Sequence, residues 1–409
     1  MYEAPRPIIA RHLPAALGFA LGFGLFLPIG LIYLLFLSAL LFPWAEGRPL
    51  RQHGWPDRGW LWILGLFLAW PAMRAGFGWY EDSGPRLLHH LRIVLTIWAG
   101  LTLPDRARNT LIVGGVAGSL WVTGVVLVNQ VMPLPDWRIW HNLLAVHGNG
   151  SSQKWIALAT VAGILFTRVL APDLTLKHRA LTAATALWLA LCVTGFSISR
   201  NAHLLLLLLP AAALLHRRTR PGTLVPSLVA VLLVAGALGQ GSPQVSQHLE
   251  TASEEIQAFF DGHEAHGSVE DRLSMFAASI EMIGASPVLG HGTGAWRSKW
   301  AEHSGADPSL VYNNPHNDFL LWWVEGGLPA LGLLLLILLR LARDSWAQQT
   351  AQGASGWVVA ASIALTAAVN APFRDAQLGM MLLLIAAAFS VRPIAKPLKT
   401  AEHAGQTPR

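Results

Sequence analysis

Residues 313–340 read NNPHNDFLLWWVEGGLPALGLLLLILLR. His316, Asn317 and Asp318 follow a proline, and from Phe319 onward the stretch is almost wholly apolar. Ionisable groups at the mouth of an apolar helix are costly near a bilayer, so they point to function. Comparable apolar runs recur along all 409 residues, and only 13% of the chain is charged while 53% is hydrophobic. Soluble domains carry roughly 25% charged residues. The reading is an all-α polytopic membrane protein, which excludes a soluble globular enzyme with a single anchor.

A span needs about 20 apolar residues, and about twelve such segments are present. The first two form a tight pair near 13–27 and 29–43, broken at Pro28, or else one long helix. The others lie near 59–75, 88–103, 109–128, 154–171, 177–197, 201–216, 221–239, 317–341, 353–371 and 375–391. Pro, Gly and charge clusters mark the breaks. Arg6 and Arg11 precede the first apolar run as in a signal peptide, but no small-residue cleavage site follows, so an uncleaved first span is expected.

An even number of spans puts both termini on one side. If that side is the cytoplasm, its loops hold Arg6 and Arg11, then Arg48, Arg51 and Arg58, then Arg106 and Arg108. They also hold Arg168, Lys177 and Arg179, the Arg217–Arg220 cluster, Arg340 and Arg343, and the basic tail from Arg392 onward. These are most of the 29 Lys and Arg residues. Basic loops face the cytoplasm, so the net charge of +6 needs no nucleic-acid partner. The single cysteine, Cys192, lies in an apolar run, so no disulfide can form within the chain.

The chain thus divides into spans 1–9 (residues 1–239), a large outer loop (240–315), spans 10–12 (316–391) and a tail (392–409). The loop is far longer than ordinary connections. Within it, Val245, Leu249, Ile256, Phe259 and Phe260 predict one apolar face of an acidic helix, at the membrane surface or capping the bundle. Ser268 and Asp271 form a capping-box-like pair before a second helix with a stripe of Leu273, Phe276, Ile280 and Ile283. Pro287 and the Gly290–Gly294 turn end that helix.

Three outer positions carry chemistry. Arg200 sits where one span ends and the next begins; it can snorkel to headgroups or bind phosphate with both arms of its guanidinium. Arg272 lies in the first turn of the second loop helix, where it can pair with Glu270 or Asp271 or serve the same anion. His316 opens the tenth span. Its ordinary pKa of about 6.5 suits a base at neutral pH, and a helix N-terminus keeps the ring neutral. The Gly290–Gly294 run is a turn and not a nucleotide loop, because no strand precedes it. His263 and His266 miss the zincin spacing, His89 and His90 suit headgroup contacts, and no metal site is expected. Arg374 beside Asp375 reads as a local ion pair.

The chain resembles the O-antigen ligase and polymerase superfamily of bacterial envelope glycosyltransferases, over most of its length. The ligase motif of His, then Asn, Ser or Gln, nine residues, then Gly is matched by His316, Asn317 and Gly327. The motif continues with Gly, Thr or Tyr three residues on, and Ala330 stands there. An Arg-x-x-x-Leu motif is matched by Arg200 and Leu204. Arg272 precedes a Pro-x-x-Gly-x-Gly turn at Pro287, Gly290 and Gly292. The resemblance implies a metal-independent, cofactor-free, inverting transfer at the periplasmic face of the bacterial inner membrane. It implies an undecaprenyl diphosphate-linked O-antigen glycan as donor and lipid A–core oligosaccharide as acceptor. His316 would be the base, and Arg200 and Arg272 would stabilise the diphosphate. Asn317 and Asp318 would orient the ring or the sugar, and Arg74 and His147 would add sugar or phosphate contacts. O-antigen polymerase and protein O-oligosaccharyltransferase are the related alternatives. A transporter or flippase would instead place ionisable groups at mid-membrane.

Overall fold

A computed structural model describes residues 8–45, 56–132, 134, 150–197, 199–216, 243–261, 268–304 and 312–391. Every regular element among them is helical: fourteen α-helices and one 3₁₀ turn. They are α1 Ile8–Phe23, α2 Ile29–Ala45, α3 Arg58–Phe77, α4 Ser83–Thr102, α5 Asp105–Val131, α6 Gly150–Val169 and α7 Leu176–Phe196. Then follow α8 Arg200–His216, α9 Pro243–Phe260, α10 Ser268–Ala285, α11 Ala295–Ser304, α12 Asp318–Trp346, α13 Ala351–Val369 and α14 Leu378–Ser390. Eleven of the twelve expected segments are helices; the twelfth, 221–239, lies outside the described residues. Among those described, α3, α5, α7, α12 and α13 are long and apolar enough to cross a membrane, while α1, α2, α8 and α14 are apolar but shorter.

Helix starts follow local chemistry. Asp57, Asn317 and Thr350 each accept a backbone N–H from the first turn of α3, α12 and α13, which satisfies donors that a helix leaves open. At the α1–α2 break, the 3₁₀ turn Gly24–Phe26 leads into Pro28, which has no N–H to give. The loosened carbonyls are taken by side chains from elsewhere: Lys154 Nζ donates to Leu25 O (3.1 Å) and Leu27 O (3.3 Å), and Gln377 Nε2 to Leu27 O (2.6 Å). The first segment is therefore two helices, which mainly pack on different partners, α1 on α5 and α2 on α4.

Small residues let the backbones touch. A Cβ on Gly18 or Gly22 of α1 would sit 1.9 Å from Ala107 O or Leu111 O of α5. This is the close approach that replaces the hydrophobic effect between helices in lipid. Hydroxyl pairs Thr160–Ser362 (2.7 Å) and Thr167–Ser355 (3.4 Å) set α6 and α13 antiparallel. At the centre lies α14, buried at every position from Leu378 to Ser390.

Candidate functional site

The site is built on a break in α12. Gly327 has φ 68° and ψ −165°, a conformation open essentially to glycine alone. Pro329 has no N–H for Glu325 O, so the ladder must fail there. The loop after α10 repairs it. Gly292 N donates to Glu325 O (2.9 Å), His291 N to Val324 O (2.7 Å), and Leu328 N turns out to Pro287 O (3.1 Å). Trp70 Nε1 donates to Gly326 O (2.7 Å) and Trp323 Nε1 to Pro287 O (2.9 Å). The fit is close: a Cβ on Gly290 would lie 2.5 Å from Gly327 N. The Pro-x-x-Gly-x-Gly turn and the glycine that ends the histidine motif are thus one interlocked unit.

His316 precedes α12 with φ 53°, and among the described residues it is the only non-glycine with positive φ. Asn314 Oδ1 holds that conformation by accepting the His316 N–H (2.8 Å). His316 Nδ1 lies 3.3 Å from Asn370 Oδ1, and the same oxygen accepts the Ala371 N–H at 2.9 Å. That second bond fixes Oδ1 as an acceptor, so Nδ1 carries the proton and Nε2 the lone pair. The Tyr312 ring stands edge-on, 5.8 Å away. Burial lowers the pKa of His316 from its ordinary value; the charges of Arg272 and Arg374 lower it further, and the Asn370 bond opposes them. The ring is neutral at neutral pH.

Arg272 is near enough to depress the pKa of His316, and burial followed by the charge of Arg200 lowers its own. Arg200, Arg272 and His316 therefore share one electrostatic neighbourhood, although they come from α8, α10 and the segment before α12. Glu255 of α9, buried, joins them. Its Oε1 is 3.7 Å from Arg200 Nη2, and its Oε2 accepts the Val269 N–H at 2.6 Å, capping α10 from the neighbouring helix. Arg200 Nη1 and both polar atoms of Asn201 are buried without a partner. Asp271 accepts from Tyr312 Oη (2.9 Å), so Arg272 does not take the local ion pair considered for it. The neighbourhood holds the guanidinium groups of Arg200, Arg272 and Arg374, with Glu255 beside Arg200 and Arg272 and with Glu325, Asp82 and Asp318 near Arg374, and guanidinium groups so gathered can bind an anion.

The other residues singled out in the sequence make structural contacts. Asn317 uses both ends of its amide, accepting from Leu320 N (3.0 Å) and donating to Ala368 O (2.9 Å). Asp318 is fully buried and accepts the Phe373 N–H (2.9 Å). Both hold the start of α12. Arg74 Nη2 donates to Gly290 O (3.2 Å) and supports the turn. Arg374 Nη1 bonds Asn313 O, while Asp375 accepts N–H groups of Gln377 and Leu378, so these two are not paired with each other. His147, His263 and His266 lie outside the described residues. So do the side chains of Val245, Leu249, Phe259 and Ser268. On α9, Ile256 and Phe260 are exposed and Glu255 is buried; on α10, Ile283 of the expected stripe is buried with Met275, Ala278 and Met282, while Ile280 is exposed. No group of His, Cys, Asp and Glu among the described residues has the arrangement of a metal centre. The sequence reading missed Glu255, Tyr312, Asn370 and Arg86. Only Glu255 carried a signal, as a carboxylate beside the apolar positions of an amphipathic helix.

A family model described as O-antigen ligase matches residues 185–335, just over a third of the chain. No curated protein matches it. The matched region contains Arg200, Glu255, Arg272, His316 and Gly327, and it supports a relation to the O-antigen ligase and polymerase superfamily. It supports O-antigen ligase-like function in general and implies glycan-linked lipid substrates in a membrane setting.

Proposed function

We propose that this protein belongs to that superfamily and is an O-antigen ligase. It transfers a glycan from undecaprenyl diphosphate to lipid A–core oligosaccharide at the periplasmic face of the inner membrane. The acceptor hydroxyl attacks the anomeric carbon and gives its proton to His316 Nε2. The bond from that carbon to the diphosphate oxygen breaks, and its electron pair leaves on the lipid diphosphate. The negative charge that grows there falls to Arg200 and Arg272. Direct displacement inverts the anomeric centre. A positioned base contributes roughly 10²–10⁴-fold, and each preorganised contact to the leaving group about 3–4 kcal/mol.

The observation that carries the reading is His316, held before α12 by Asn314 and Asn370 with Nε2 left to accept a proton, inside the stretch that the ligase model matches. Arg200 and Arg272 supply the cations that such a reaction needs beside a base. The test is reconstitution of purified protein with an undecaprenyl diphosphate-linked glycan and either lipid A–core or a second lipid-linked glycan. Transfer to lipid A–core is expected, with His316→Ala and Arg200→Ala inactive yet folded. Transfer to the second lipid-linked glycan alone would make the protein a polymerase. Wild-type turnover by both variants would remove the mechanism.

A further inference from the structure

We propose that Arg86, on α4 and outside the matched region, is a positioning residue for His316. This rests on the reading of His316 as the base. Arg86 is 3% exposed. Its Nε meets Glu325 Oε1 at 2.9 Å, and its Nη2 donates to Asn313 O at 3.1 Å. The same carbonyl accepts from Arg374 Nη1. Two guanidinium groups from different elements thus hold one carbonyl three residues before His316.

What they hold is a segment that would not keep its shape alone. His316 has positive φ, a strained conformation for a residue with a Cβ. Asn314 fixes its N–H, and the clamp on Asn313 O fixes the chain just before that turn. The other end of Arg86 is anchored at the interlocked break. Glu325 lies two residues before the Gly327 break, and its own carbonyl is bound by Gly292 N. Position therefore passes from the interlocked turn through Glu325 and Arg86 to the histidine segment. Only a planar fork can bond a carboxylate through Nε and a carbonyl through Nη2 at once; a lysine offers one point charge.

A buried ion pair can also be purely structural, so the test uses measurements that separate the two roles. Arg86→Lys keeps the charge opposite Glu325 but loses the fork. Its kcat should fall about 100-fold, the scale of a misplacement of about 1 Å, with donor KM within about twofold of wild type, the signature of a lost transition-state contact. The rate at which diethyl pyrocarbonate modifies His316, read by peptide mass spectrometry, should rise. The Arg86→Gln/Glu325→Gln double variant removes both buried charges together, and it should fold yet stay slow. Should Arg86→Lys fold poorly, Arg374→Gln loosens the same carbonyl from an intermediate, less buried site. Wild-type kcat or an unchanged modification rate in folded variants overturns the proposal. Full turnover by His316→Ala, with the modification rate still raised in Arg86→Lys, would instead remove the catalytic reading and leave the clamp standing.

Discussion

Gly327→Ala should dismantle the site from its base. The added Cβ would lie 2.0 Å from Val288 O and 2.4 Å from Val288 C, and no rotamer relieves a Cβ clash with backbone. The φ of 68° with ψ −165° would itself cost about 1–3 kcal/mol for a residue with a side chain. To escape, either the helix or the turn must move, which puts at risk three backbone bonds, from Leu328 N, His291 N and Gly292 N, and the Trp323 Nε1 bond. At about 1 kcal/mol each, and with the strain added, the total loss is about 5–7 kcal/mol. Gly332→Ala is the control on the same helix: nothing lies within 4 Å of its Cβ position, and helix propensity alone predicts a gain of up to about 1 kcal/mol. Unfolding titrations of both variants in mixed micelles give the comparison. A Gly327→Ala protein within 1 kcal/mol (about fivefold in the folding constant) of wild type would refute the interlocked break.

Because burial and the charges of Arg272 and Arg374 lower the pKa of His316, the base form persists as pH falls. The acid limb of transfer should lie below the ordinary value of 6.5, and Arg374→Gln should move it upward; a limb at or above 6.5 in the wild type contradicts this. Glu255→Gln keeps an oxygen to cap Val269 N but removes the negative charge near Arg200. Donor KM should fall roughly two- to fivefold, and a large loss of kcat would instead make Glu255 a participant. Chelator should leave transfer unchanged in the reconstituted assay, and strong inhibition would call for a metal.

The chemistry of the site was legible where a residue type has few alternatives. A neutral-pH base, two guanidinium groups and a glycine at fixed spacing could be picked from the sequence, because each has a property no neighbour shares. Their partners could not. Asn370 matters only because it lies beside His316, and Arg86 only because Asn313 folds back over it; both relations are tertiary. The inward sides of the spans were hidden for a different reason. In lipid, an apolar side chain gains little by pointing inward, so hydrophobicity stops reporting which side is the core. The exposed Trp62 and Leu339 on α3 and α12 follow from that. The Pro28 break was visible as a helix stop, but the Lys154 and Gln377 bonds that satisfy it come from distant helices.

The two sides of the site are unequally held. The histidine segment is tied to α4, α13 and the α13–α14 loop by Arg86, Asn317, Asn370 and Arg374, and the break beneath it is tied to α3 and the turn. The cation side chains depend on less: among the described residues Arg200 meets Glu255 at 3.7 Å, and Glu255 in turn caps α10. Regions with few cross-links open at low free-energy cost. A base must be fixed to within a fraction of an ångström to act, whereas a large anionic lipid headgroup must first enter. In the proposed reaction, adjustment to the donor therefore falls to the Arg200 side chain, which Glu255 would give up as the diphosphate arrives, while His316 stays where the broken helix puts it.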